Sequence, residues 1–99
     1  MEDRESTVEA RLRIGVANAG GKAYKWVSPG NAGVPDRLVI MPGGRVYFVE
    51  LKKVGGRLSA RQKAQIRKLT SKGCEVRVLT GADQVDEFLR EIGGVAGGA

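Results

Sequence analysis

The chain has 99 residues, 41% apolar, with a net charge of +6, a size that predicts one small domain. Histidine is absent, which excludes His-ligated zinc sites and Ser-His-Asp hydrolases. One cysteine leaves no intramolecular disulfide and indicates a reducing compartment. No apolar run approaches the roughly 18 residues that span a bilayer, and the first residues lack a signal core, so we expect a cytoplasmic protein with no membrane partner.

The first part of the chain predicts a helix, a strand and a loop. Apolar residues recur at helical spacing over 6–19, and Ser6 with Glu9 forms a possible capping box. Residues 22–27 alternate and carry aromatic and β-branched side chains, which is typical of a strand. Residues 28–33, "SPGNAG", carry the turn signals of a loop.

The central part predicts a β-hairpin. Residues 36–41 and 45–53 are two apolar strand segments, and the proline-glycine stretch at 42–44 predicts a tight turn between them. Counting outward from the turn places Asp36 opposite Glu50. The two carboxylates are therefore expected at the same edge of the sheet.

The last part predicts a helix, a strand and a helix. Ser59 with Gln62 forms a capping box for a basic helix over 60–72. Residues 74–80 alternate as a strand, and 82–92 predict a closing helix with its apolar residues inward. The intervening helix is long enough for a right-handed crossover between parallel strands.

The predicted order is therefore α-β-β-β-α-β-α, a mixed α/β sheet flanked by helices. A single domain over 1–92 accounts for all of these elements. The glycine-rich residues 93–99, "GGVAGGA", are expected to form a flexible tail.

The ends of the hairpin carry the residues for chemistry. Strand alternation puts Glu50 and Lys52 on one face, with Leu51 on the other. Asp36 and Glu50 repel each other unless a cation lies between them. Lys52 supplies one positive charge, which is one fewer than the two carboxylates need. Oxygen ligands favour Mg²⁺ or Mn²⁺, with the Leu51 carbonyl as a further ligand. Lys52 can orient a water or stabilise developing negative charge on a phosphate, and the sequence leaves both roles open.

Several motifs in order resemble a known family. "PD" at 35–36, followed after residues 37–49 by "ELK", is similar to the PD-(D/E)xK nuclease pattern. Together with "GGK", "SPGNAGVPD", "YFVELK" and "LSARQ", it resembles the VRR-NUC family, the virus-type replication-repair nuclease domain, over about residues 5–92. The resemblance implies a restriction-endonuclease-like fold and DNA cleavage with Mg²⁺ or Mn²⁺. It also implies the small stand-alone type found in phages and bacteria, which acts on Holliday-junction-like DNA as a homodimer.

The resemblance also implies a set of site residues. The catalytic set is Glu9, Asp36, Glu50, Lys52 and Gln62, and the metal ligands are Asp36, Glu50, Leu51 and Glu9. Glu5, one helical turn before Glu9, is the rival for the helix carboxylate. For both Glu9 and Gln62 a capping role is the alternative, and for Gln62 the two roles are compatible.

Nucleic-acid contacts are expected from the basic segment over 51–77 and from family positions next to the glycine loop. These residues are Lys25, Ser28, Lys53, Arg57 and Arg61. A basic segment of this kind attracts a polyanion, although it is also typical of a solvated helix face. Two alternatives to a junction endonuclease stay open: a basic module that binds nucleic acid without cutting it, and a flap or nicking nuclease of the same superfamily.

Overall fold

The computed structural model describes residues 5–97, and the side chains of residues 6–93. Within residues 5–97, three helices and four strands follow the predicted order α-β-β-β-α-β-α. In chain order the elements are α1 (Glu5–Asn18), β1 (Lys22–Lys25), β2 (Arg37–Met41), β3 (Arg45–Lys52), α2 (Ala60–Ser71), β4 (Glu75–Thr80) and α3 (Gly81–Gly97).

The four strands form one mixed sheet in the spatial order β1-β2-β3-β4. β1, β2 and β3 pair antiparallel, and β4 is parallel to β3 after the crossover through α2. Arg37 lies opposite Val49, so the next pair outward is Asp36 and Glu50. The predicted hairpin register is therefore confirmed.

The core lies between the sheet and the pair α1 and α3. Val8, Leu12 and Val16 of α1 are fully buried, as their helical spacing predicts. They pack with residues from the strands and α3: Val39, Met41, Val49, Leu51, Leu79, Val85, Phe88 and Ile92. α2 lies apart from this core and packs against β4, and none of its residues is fully buried.

Two glycines allow backbone conformations on which the site depends. Gly43 has φ of 84° in the single 3₁₀ turn Pro42–Gly44, which closes the hairpin. Gly33 has φ of 93°, and a Cβ there would lie 2.6 Å from the Arg61 carbonyl oxygen. The loop before β2 can therefore approach the start of α2 closely.

Two local predictions are wrong. Ser6 lies inside α1, so it cannot be the N-cap, and the capping box with Glu9 is absent. α3 does not end at Ile92 but continues to Gly97, because Gly93 packs close to Ala19 of α1 and offsets the low helix propensity of glycine. Residues 93–97 of the predicted tail thus continue the helix, while 98–99 lie outside the described residues. Across residues 5–97 no helix is long and apolar enough to cross a membrane.

Candidate active site

Asp36 and Glu50 meet where β2 begins and β3 ends. Leu51 N–H donates a hydrogen bond of 3.4 Å to Asp36 Oδ1, which ties the aspartate to the neighbouring strand. The Asp36 carbonyl accepts from Trp26 N–H at 2.9 Å, so the backbone at this position is also fixed. As predicted from strand alternation, Leu51 is buried in the core while Glu50 and Lys52 lie on the other face.

Glu50 is a buried carboxylate with incomplete charge compensation. The Glu50 residue is 4% exposed. Burial raises the pKa of the Glu50 carboxyl, and the nearby Asp36 charge raises it further. Lys52 opposes these effects through an ion pair of 3.4 Å between Nζ and Glu50 Oε2. Burial and the neighbouring carboxylate together outweigh the effect of Lys52 on the Glu50 pKa.

Gln62 connects the start of α2 to this carboxylate. Its Oε1 accepts from Ser59 N–H at 2.8 Å, while Ser59 Oγ accepts from Gln62 N–H at 3.1 Å, which completes the predicted capping box. Because the cap fixes the amide, Nε2 points to Glu50 and donates to Oε2 at 3.0 Å. Capping and contact with the site are thus compatible in one side chain.

Glu9 lies next to the pair but makes an ion pair of its own. Its carboxylate pairs with the guanidinium of Arg37, which is 8% exposed and follows Asp36 directly. Sequence reasoning missed Arg37. The signal was available, because strand alternation puts this arginine on the core face, where a buried charge needs a partner. Glu5 begins α1, and its side chain lies outside the described residues.

A cavity of about 350 Å³ opens beside the pair. Its lining residues come from α1, β1 and the ends of β2 and β3: Ser6, Glu9, Lys25, Asp36, Arg37 and Leu51. Of the predicted nucleic-acid contacts, Lys25 lies here. Lys53, Arg57 and Arg61 are exposed in the loop after β3 and at the start of α2. Ser28 accepts a hydrogen bond of 3.0 Å from Asn31 and shapes the loop before β2.

The donor set suits a hard divalent cation. Asp36 and Glu50 offer carboxylate oxygens at the sheet edge, and the raised pKa of Glu50 marks a site where positive charge would stabilise the ionised form. Among residues 6–93, no group of three Asp, Glu, His or Cys side chains converges. Mg²⁺ commonly binds through one or two carboxylates and keeps several waters, so two are sufficient. The ligand roles of Glu9 and the Leu51 carbonyl stay predictions.

Comparisons with known proteins find relatives of this chain in sequence and in fold. The sequence profile of the VRR-NUC domain matches residues 5–83. A relative named "Putative nuclease p44", from Acyrthosiphon pisum secondary endosymbiont phage 1, is 44% identical over 80 residues, which covers 81% of this chain and 86% of that protein.

Two solved structures have the same fold. One, titled "VRR_NUC domain", superposes with a TM-score of 0.82 at 29% identity and covers 87% of this chain and 94% of its own. The other, titled "VRR_NUC domain protein", has a TM-score of 0.64 at 20% identity and covers 93% and 89% of the two chains. At 20% identity, the second structure supports a likeness in fold alone.

Proposed function

The chain belongs to the VRR-NUC domain family, and from that premise we propose that it is a metal-dependent DNA endonuclease. The observation that carries the proposal is the buried Glu50, whose pKa is raised by burial and by the adjacent Asp36 despite the ion pair with Lys52. An ion pair that only stabilises the end of a strand does not need a second carboxylate that repels the first. A site that binds a divalent cation needs both carboxylates.

Each residue has a distinct part in hydrolysis. Asp36 and Glu50 hold Mg²⁺ or Mn²⁺, and a bound cation supplies Lewis acidity and charge neutralisation at the scissile phosphate. Lys52, 3.4 Å from Glu50, stabilises negative charge as it develops on the phosphate or orients the attacking water. Gln62 fixes the rotamer of Glu50 through its hydrogen bond. Glu9 is a further carboxylate next to the same cavity.

A homodimer that acts on branched DNA is the preferred form of this activity. On the sheet face opposite α1, the side chains Tyr24, Ile40 and Val46 are 49%, 37% and 38% exposed, and α2 packs against β4 at the other edge of the sheet. A second copy would bury this apolar face and place two active sites on one particle, as the paired cuts of a junction require. The activity is expected in the bacterial cytoplasm.

The dimer is tested by light scattering at micromolar concentration. We expect twice the monomer mass for the wild type, a monomer for Val46→Glu, and no change for the control Val54→Glu, which alters an exposed loop residue. A monodisperse wild-type monomer would contradict the dimer and leave the nuclease proposal in place.

Cleavage is tested on a four-way junction, a flap and a plain duplex, each with Mg²⁺, Mn²⁺ or EDTA. We expect cleavage only with metal, strongest on the junction, and none with Asp36→Asn. The control Asp83→Asn, an exposed acid in α3, should behave as wild type. Cleavage in EDTA, or by Asp36→Asn, would contradict the mechanism. DNA binding without cleavage under any condition would favour the non-catalytic module, and cleavage of the flap alone would favour a flap nuclease.

A further inference from the structure

A second cavity extends the candidate active site along the edge of the sheet. It measures about 410 Å³ and lies between α1 and the edge strand β1. It shares three lining residues with the cavity beside Asp36: Glu9, Lys25 and Arg37. At its far end it reaches Arg13 and Lys22. The two cavities therefore form one continuous groove, which we call the β1 groove.

The β1 groove is positively charged. Glu9 and Arg37 neutralise each other at its base. Lys25, Lys22 and Arg13 then contribute positive charges that no carboxylate among the described residues pairs with. Lys22 and Lys25 are exposed. Exposed cations that line one groove suit the phosphates of a nucleic-acid strand.

The lysines of β1 reach the groove from both faces of the edge strand. Lys25 lies opposite the buried Arg37 and Lys22 lies opposite the exposed Ile40, so the two side chains leave the strand on different faces. Both nevertheless line the cavity, because no further strand covers this edge of the sheet. Arg13 follows Glu9 by one helical turn on the same face of α1, so it lies across the groove from β1.

We propose that the β1 groove binds the backbone phosphates of one DNA strand as it leaves the active site, with Arg13 and Lys22 as contacts in addition to Lys25. The inference rests on the proposed function, because the strand is placed by its scissile phosphate at Asp36. Binding through phosphates carries no sequence preference, and it steers the strand past Glu9 and Arg37.

The groove is tested by DNA binding in EDTA, which keeps binding separate from cleavage. Fluorescence anisotropy with a labelled single strand is measured over a range of salt concentrations. The variant is Arg13→Ala with Lys22→Ala, and Arg13→Ala is also made alone. The matched control for the single variant is Arg90→Ala, which removes one exposed charge from α3, outside the basic segment over 51–77. Lys22→Glu serves as a second variant, and the melting temperature of each protein verifies folding.

We expect the groove variant to bind on the order of tenfold more weakly at 0.1 M salt. Its slope of log affinity against log salt should fall by about 1.4, since each lost contact to a single strand contributes about 0.7. Arg13→Ala alone should lower the slope by about 0.7, and the Arg90→Ala control should keep the wild-type slope. Wild-type affinity in the groove variant and in Lys22→Glu would overturn the inference. A loss in Arg90→Ala equal to that in Arg13→Ala, or a wild type without salt-dependent binding, would overturn it as well.

Failure of the proposed function has a different signature. If no protein cleaves DNA with metal and yet the groove variant loses affinity as described, the groove stands and the catalytic proposal falls. If the wild type cleaves and the groove variant has the same KM, the catalytic proposal stands and the groove falls.

Discussion

The central strand β3 has a charged cluster at each end, and the two clusters are built differently. Where β3 begins, Arg77 pairs with Glu75 at 2.5 Å and with Glu91 at 2.8 Å. Arg45 donates to the Ile92 carbonyl at 3.3 Å. Where β3 ends, Glu50 pairs with Lys52 at 3.4 Å and lies beside a second carboxylate, that of Asp36.

The difference lies in charge compensation. At the start of β3 both acidic partners of Arg77 are more than half exposed. The Arg77 guanidinium lies over the Tyr47 ring, 5.6 Å from its centre. Each charge there has a partner or water, which is what a stabilising network needs. At the end of β3 a carboxylate is buried next to another carboxylate, which costs stability unless a further cation binds. Because this cost in stability is present where β3 ends and not where it begins, it indicates that function lies where β3 ends.

The largest expected effect is the loss of cleavage rate when Lys52 is replaced. Lys52→Ala should lower the cleavage rate at saturating DNA by about 10²–10³-fold, the usual cost of removing a group that stabilises transition-state charge. Lys53→Ala is the matched control: it is exposed and adjacent, so KM should rise while the rate at saturation stays constant. Equal losses in the two variants would contradict a specific role for Lys52.

At the start of β3, Arg77→Met should have the opposite profile. Loss of two ion pairs and of the contact with Tyr47 is expected to lower the free energy of unfolding by about 1–2 kcal/mol, measured by urea denaturation. Cleavage by the folded variant should be unchanged. A loss of activity without a loss of stability would place function at this end too.

Gln62 allows its cap and its site contact to be separated. Gln62→Glu retains a capping-box residue but puts a third carboxylate next to Glu50, so cleavage should fall about tenfold while helix content by circular dichroism is kept. Ser59→Ala removes the cap and costs about 1 kcal/mol of stability. If cleavage falls only in Ser59→Ala, Gln62 acts through the helix alone.

The smallest effect is a gain in stability. Glu50→Gln removes a buried charge and keeps an acceptor for Gln62, so unfolding without metal should cost on the order of 1 kcal/mol more. The raised pKa of Glu50 means that the folded state binds its proton more tightly. The gain is therefore absent below the unfolded pKa of about 4.3 and develops as pH rises through the folded pKa. A Glu50→Gln variant that is less stable than the wild type at pH 7 would contradict the predicted gain in stability. The control Glu91→Gln should give no gain.

Much of this arrangement was predictable because local signals agreed. The proline-glycine turn determines the register that pairs Asp36 with Glu50, and Ser59 with Gln62 marks the start of α2. The rest depends on tertiary packing. The pairing of Glu9 with Arg37 depends on how α1 lies on the sheet, and the extension of α3 depends on its packing against α1. Strand or helix periodicity encodes neither.

The central claim is that Asp36 and Glu50 form a site for a divalent cation, and Mn²⁺ binding measured by electron paramagnetic resonance tests it most directly. The account predicts one or more bound ions in the wild type and in Glu91→Gln, and loss of that binding in Asp36→Asn and in Glu50→Gln. Unchanged Mn²⁺ binding in Glu50→Gln, or none in the wild type, would contradict it.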